Sequence, residues 1–325
     1  MKISLVTPAG NRSRSGNRTT AERWAGILRG LGHRVTVAET DPAGNADMMI
    51  AVHAWRSADS IRRFSDAYPD RPLVVLLAGT DIYRFQHSHP AETHDSMDRA
   101  TALICLHDLV SRAVPQRHVA KLRVIHQSAP PLGRPRTPSR RAFEICVVGH
   151  LREEKDSLRA AYAARQASAE SRLRVIHLGK AHDDAWAQDA EAEMERNPHY
   201  RWRREVRGWQ VRRQFARSHA MVISSIMEGG ANVVSEAVAA GLPVLASRID
   251  GNVGLLGKDY AGYFPAKDTD ALARLLRRAE TDPAFLQRLA AQCRMRRPLF
   301  RPQRERAAWR ALLSELRRRP VRHGS

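Results

Sequence analysis

Cysteine is scarce in this sequence: 325 residues hold three, Cys105, Cys146 and Cys293. An odd number at wide spacing excludes a disulfide framework and a zinc knuckle. Two of the three lie in apolar runs, where Cys packs as a small core residue, and the pattern fits a reducing, cytoplasmic compartment. Aromatic residues are few as well, at 6%, too sparse for the stacking platforms of a single-strand nucleic-acid binder. No apolar run approaches the roughly 20 residues of a membrane-spanning helix; the best, Leu73–Ala78 and Met221–Ile223, are far shorter. The opening MKISLVTPAG has one Lys and a short apolar stretch before Thr7-Pro8, too little for a signal-peptide core, and reads as a first strand.

Acidic residues are the other shortage, 34 Asp+Glu against 54 Lys+Arg, for a net charge of +20. Much of the surplus falls in 294–301 and 317–322. Such a tail reads as a solvated surface or a weak polyanion patch, with no specific nucleic-acid partner expected. A basic polyanion- or nucleic-acid-binding protein stays open as an alternative, with salt-sensitive binding as its signature. Against these shortages, 43% of the residues are hydrophobic, which excludes wholesale disorder, and the length fits about two domains.

Short β-branched runs recur at Ile3–Val6, Val35–Val37, Met48–Val52, Leu73–Leu77, Ala102–Leu106 and Leu122–Ile125, with helical patterns between them. Ala21, Trp24, Ala25, Leu28 and Leu31 share one helix face; Thr19 and Glu22 form a capping-box signature before it, and Gly32 closes it. Four prolines and a glycine in Pro130–Pro138 interrupt both periods. A second series follows: Ile145–Val148, Leu173–Leu178, Met221–Ser224, Val244–Ala246 and Gly262–Phe264, with helices near 155–167, 184–196, 231–240, 268–280 and 284–295. A last helix at 303–318 carries Trp309, Leu312, Leu313 and Leu316 on one stripe. Strand–helix alternation implies right-handed crossovers and parallel sheets. The expected organisation is an α/β chain of two Rossmann-like domains: 1–130, a linker at 131–139, 140–300, and a C-terminal helix with a basic tail at 301–325. Ligands in such sheets sit at the C-terminal ends of the strands.

The strand Met221–Ser224 runs into Glu228-Gly229-Gly230-Ala231-Asn232-Val233, and a helix follows. Glycines let backbone approach a ligand closely, and the helix start favours an anion. Glu228 and Glu236 can border one cleft, where a carboxylate suits vicinal hydroxyls. The strand Ile145–Val148 ends in Gly149-His150-Leu151-Arg152-Glu153-Glu154-Lys155, whose Arg152 and Lys155 either face a phosphate or pair with Glu153 and Glu154. Between the first strand and helix lie Arg12, Arg14, Gly16, Asn17 and Arg18, a basic turn suited to a small, highly charged acceptor. It lacks the G-K-[ST] of a phosphate-binding P-loop. His53, Thr80 and Asp81 follow two further strands. His53 is a candidate for sugar contact or proton transfer, and Asp81 either positions an acceptor or caps a helix. Asp268-Thr269-Asp270 has the D-x-D pattern of a metal site, but it opens an amphipathic helix and reads as a cap. No metal and no cofactor are expected.

Glu228-x7-Glu236, followed by Gly241-Leu-Pro243, resembles the signature of retaining glycosyltransferases of the two-domain GT-B fold, family 4-like. The resemblance implies two Rossmann-like halves facing across a cleft. It gives Glu228 a place by the donor sugar and its diphosphate, Glu236 the nucleotide ribose, and Gly229–Asn232 backbone amides for sugar and phosphate. Arg152 and Lys155 match its diphosphate clamp, together with Gly149. Across about residues 1–295 the chain is similar to a narrower group, the selenosugar synthases of selenoneine biosynthesis. The likeness rests on Leu5-Val-Thr-Pro8 with Ser15-Gly-Asn-Arg18, on Val52-His-Ala-Trp-Arg-Ser-Ala-Asp59, on Gly79-Thr-Asp-Ile-Tyr83, on Gly149–Asp156 and on Glu228–Asn232. It implies a UDP-sugar co-substrate, UDP-N-acetylglucosamine, and selenophosphate as acceptor, with loss of UDP and then phosphate. It also implies hand-over of the selenosugar to an enzyme that builds a carbon–selenium bond. The nearest alternative is a GT-B enzyme acting on an oxygen acceptor of a lipid or polysaccharide.

Overall fold

The computed structural model describes residues 1–11, 13, 15–41 and 44–318. The chain divides into two compact units, one formed by Met1–Gln127 with the C-terminal stretch that opens at Pro302, the other by Ser128–Arg301.

The first unit holds β1 (Lys2–Val6), α1 (Gly16–Arg29), β2 (Arg34–Ala38), β3 (Met48–Val52), α2 (Ala58–Ala67), β4 (Leu73–Leu76), α3 (Gln86–Ser88), α4 (Pro90–Arg99), β5 (Ala102–Cys105), α5 (Gln116–Val119) and β6 (Leu122–Val124). Its six strands are ordered β2-β1-β3-β4-β5-β6, and the register is parallel throughout. Side chains alternate across a strand. Met48, Ile50 and Val52 therefore join the core with Trp24 and Leu28, while Met49 and Ala51 join the one with Phe64 and Leu103. A sheet covered on both faces explains why β3 reads as an unbroken apolar run.

Helix α1 begins three residues before the capping-box signature. Its N-cap is Ser15, whose hydroxyl accepts the Arg18 N–H at the long distance of 3.5 Å, so Thr19 and Glu22 lie inside the helix. Gly16, Asn17 and Arg18 are thus first-turn residues. Gly32, at φ +88°, closes the helix as expected.

The second unit holds β7 (Phe143–Val148), α6 (Arg159–Ala164), β8 (Leu173–Leu178), α7 (Asp184–Arg196), β9 (Tyr200–Trp202), α8 (Gly208–Arg217), β10 (Ala220–Ile223), α9 (Asn232–Ala239), β11 (Val244–Ser247), α10 (Asp250–Leu256), β12 (Tyr263–Phe264), α11 (Thr269–Thr281) and α12 (Pro283–Arg296). Its order is β12-β11-β10-β7-β8-β9, again parallel. The short β9 and the helix α8 are absent from the sequence reading. Residues 131–139 are no free tether: Arg136 donates to the Gly241 carbonyl at 2.8 Å and to those of Phe215 and Ser218, binding the stretch to the second unit.

The final helix α13 (Pro302–Arg318) is not a separate segment either. It packs on α1 in the first unit, where Trp24 and Trp309 meet edge-on at 4.8 Å. Glu305, 1% exposed, accepts from Trp24 Nε1 at 2.8 Å and from Arg23 Nε at 3.1 Å.

Candidate functional site

Two loops leave the C-terminal ends of neighbouring strands β7 and β10 and are stitched together. The Ile226 N–H donates to the Glu154 carbonyl at 3.0 Å. The Ser224 hydroxyl reaches the Lys155 and Asp156 carbonyls at 3.2 and 2.9 Å. Asp156 takes a left-handed turn at φ +46°, which brings the short helical turn Glu153–Lys155 back over the sheet. This stitching places the Lys155 ammonium in an ion pair with Glu228. The same carboxylate oxygen accepts the Ser225 hydroxyl at 2.7 Å. Glu228 is thereby oriented beside a cation.

Gly149, His150, Lys155, Ser225, Glu228 and Val233 line one pocket at these strand ends. Gly230, at φ +117°, turns the chain into α9, and no side chain caps that helix at Ala231. The Gly229–Asn232 turn therefore presents a positive dipole end at the rim of the pocket. Glu236 is half-buried one turn into α9 and is not among the lining residues.

The pocket floor depends on two close backbone approaches. A Cβ on Gly179 would lie 1.8 Å from the Gly149 oxygen, and a Cβ on Gly251 would lie 2.2 Å from the Glu228 oxygen. The Gly149 carbonyl also accepts from His177 Nε2 at 3.1 Å, while the Tyr200 hydroxyl donates to His177 Nδ1 at 3.0 Å. Burial holds the His177 pKa down to about 4, so the ring is a neutral strut.

Arg152 is displaced from the role expected of it. Its Nε lies 3.2 Å from Glu154 Oε1, without hydrogen-bond geometry, and it does not line the pocket. The backbone turn at 153–155 sends its side chain toward Glu154, one of the two partners open at the sequence level. His150, which the sequence reading left unassigned, lines the pocket together with Lys155.

In the first unit, His53, Thr80 and Asp81 come together at the ends of β3 and β4, but in a buried arrangement. The Asp81 carboxylate, 0% exposed, accepts the N–H groups of Ala54, Ala78, Gly79 and Ile82 at 2.8–3.1 Å. That satisfies both oxygens and removes Asp81 from acceptor contact; it locks two strand-end loops instead. His53, at φ +81° and 1% exposed, accepts the Arg56 N–H on Nδ1 at 3.2 Å. Its proton is therefore on Nε2, which donates to the Thr80 hydroxyl at 2.9 Å. Burial lowers its pKa against the opposing pull of Asp81. Both nitrogens are engaged, so His53 is no proton carrier here; the half-exposed Thr80 is the outward end of the chain.

Arg18 is 8% exposed and pairs with Glu22 through Nε at 2.7 Å. Its Nη1 is buried without a hydrogen-bond partner among the described residues. Arg12 and Arg14 lie outside the described residues. Asp268 caps α11, accepting from Ala271 N at 2.8 Å, as the sequence predicts. Among the described residues no three His, Cys, Asp or Glu side chains form a metal cluster, and no helix is long and apolar enough to cross a membrane.

Residues 135–296 match the model of the family described as Glycosyl transferases group 1. No curated protein matches the chain. Among solved structures, Anabaena HepE in complex with UDP and glucose is similar at TM-score 0.78 and 16% identity, over 97% of this chain and 100% of that one. Sucrose-phosphate synthase from Thermosynechococcus elongatus is similar at 0.79 and 14%, over 97% and 99%. TarM of S. aureus, a G117R mutant in complex with fondaparinux, alpha-GlcNAc-glycerol and UDP, is similar at 0.66 and 14%, over 82% and 55%. The two parallel sheets are thus those of the GT-B fold, and the Lys155–Glu228 pocket lies within the residues that match the glycosyl transferases group 1 model.

Proposed function

We propose that this chain is a glycosyltransferase that takes UDP-N-acetylglucosamine as donor and selenophosphate as acceptor, and releases a selenosugar. The observation that carries the transferase reading is the Lys155–Glu228 pair under the Gly229–Gly230 turn and the start of α9. A nucleoside diphosphate gains negative charge as its bond to the sugar breaks, and a fixed cation with a helix N-terminus lowers that barrier. Lys155 leaves Glu228 for the diphosphate, and Glu228 is then free to accept sugar hydroxyls. Glu236 binds the ribose. The UDP complexes of HepE and TarM support UDP as the carrier.

The acceptor rests on the motifs shared with selenosugar synthases, and on Arg18. A buried guanidinium at a helix start, with an unsatisfied N–H, suits a small polyanion better than a lipid. Selenium attacks the anomeric carbon. The new C–Se bond forms as the C–O bond to the β-phosphate breaks, and that oxygen leaves with the electron pair as UDP. Water then cleaves the P–Se bond, releasing phosphate and the selenol of the sugar.

The test is UDP release from UDP-N-acetylglucosamine with selenophosphate, with the product identified by mass. Release that needs selenophosphate and yields a selenosugar is expected. Release only with an oxygen acceptor of a lipid or polysaccharide overturns the acceptor. Salt-sensitive duplex binding without turnover overturns the transferase reading.

A further inference from the structure

We propose that His150, through its Nε2–H, is a second donor to the diphosphate in this pocket, alongside Lys155. The inference rests on the reading of the pocket as a nucleoside-diphosphate site. His150 follows Gly149 at the end of β7 and lines the pocket with Lys155, Ser225 and Glu228. Its other ring nitrogen is taken: the Lys180 N–H donates to Nδ1 at 3.1 Å. A nitrogen that accepts carries no proton, so the neutral ring must carry its hydrogen on Nε2. No hydrogen bond engages Nε2 among the described residues, and it is not sealed from solvent.

The surroundings keep the ring neutral. Burial lowers its pKa, Arg152, Lys155 and Lys180 lower it further, and Glu205 opposes them. The neighbouring His177 is itself uncharged, with its pKa held near 4. The ring is held by the Lys180 amide, and the backbone before it is fixed where His177 donates to the Gly149 carbonyl. A donor oriented before the ligand arrives loses little freedom on binding. His150 thus does from inside the pocket what Arg152, turned to Glu154, does not. The site then holds its diphosphate with one permanent cation and one neutral donor, and so adds less positive charge than two cations would.

The experiment compares calorimetric affinities for UDP and for uridine. Wild-type protein should bind UDP more tightly than uridine; failure to bind UDP at all overturns the reading of the pocket, separately from the role of His150. In His150→Ala, UDP affinity should fall about ten- to a hundred-fold, the range for a hydrogen bond to a charged group, with uridine affinity unchanged. In His150→Gln, which keeps an N–H donor at similar reach, UDP affinity should recover to within about threefold of wild type. Wild-type UDP affinity in the Ala variant overturns the proposal, as does an equal loss for UDP and uridine. A Gln variant as weak as the Ala variant also overturns it.

Discussion

Replacing Gly179 by Ala should damage the pocket although Gly179 does not itself line it. Gly179 follows β8 and is outside the left-handed region, so the added methyl acts through contact alone. That methyl would sit 1.8 Å from the Gly149 oxygen and 2.5 Å from its carbon. Retreat to even 3.0 Å moves backbone by 3.0 − 1.8 = 1.2 Å. Gly149 cannot yield freely, because its N–H is bound to the Leu178 carbonyl at 2.9 Å and its oxygen to His177 at 3.1 Å. Overpacking of this kind costs about 1–3 kcal/mol, several degrees of melting temperature for a unit of this size. Displacement of donors by an ångström costs about a hundredfold in turnover. The assay is UDP release from the sugar nucleotide, paired with thermal melting. Gly26→Ala is the control: it lies in the interior of α1 with nothing within 4 Å of the new methyl, and it should stabilise by about 0.5–1 kcal/mol. A Gly179→Ala protein that melts and turns over like wild type would refute the argument from backbone approach.

Glu228→Gln should cut turnover by about 10²–10³-fold while UDP affinity, measured by calorimetry, holds or rises, because Lys155 loses its competing partner; turnover within threefold of wild type counts against it. Glu305→Ala should destabilise by roughly 3 kcal/mol, since it strips the acceptor from the Trp24 and Arg23 donors, and chemical denaturation will show it. His177 ionises at about 4 when folded and at its ordinary 6.5 when unfolded. Its contribution, roughly 3 kcal/mol, is complete above pH 6.5 and fades as pH falls toward 4. His177→Phe should flatten that part of the stability–pH curve, and an unchanged slope would show that the buried ring is not its source.

The strands were legible because both sheets are parallel and covered on both faces, which turns each strand into an uninterrupted apolar run such as Met48–Val52 or Leu173–Leu178. β9 escaped notice because three residues, Tyr200-Arg201-Trp202, in an arginine-rich stretch carry no usable period. The start of α1 was misplaced because Thr19 and Glu22 imitate a capping box, whereas Ser15 caps with no acidic partner three residues on. At the site, the Glu228 loop and Lys155 were legible from spacing. His150 lines the pocket and Arg152 lies beside Glu154, an arrangement hidden because a one-dimensional reading favours the permanent charge. Which side chain enters the pocket is settled by the turn at 153–156 and the Lys180 amide, neither of which has a sequence signature. The roles of His53 and Asp81 were hidden for a related reason: backbone N–H groups from Ala54, Arg56, Ala78 and Gly79 occupy them, and backbone donors are the same for every residue.

The return of α13 to α1 has a consequence for biosynthesis. A ribosome delivers the residues of the first sheet before those of the second, yet Trp309, Leu312, Leu313 and Leu316 of the first core emerge last. The later-made unit is continuous and can mature on its own, while the earlier one waits with the Trp24 face of α1 uncovered. A released chain that ends at Arg301 should therefore carry one finished half and one that exposes apolar surface to chaperones.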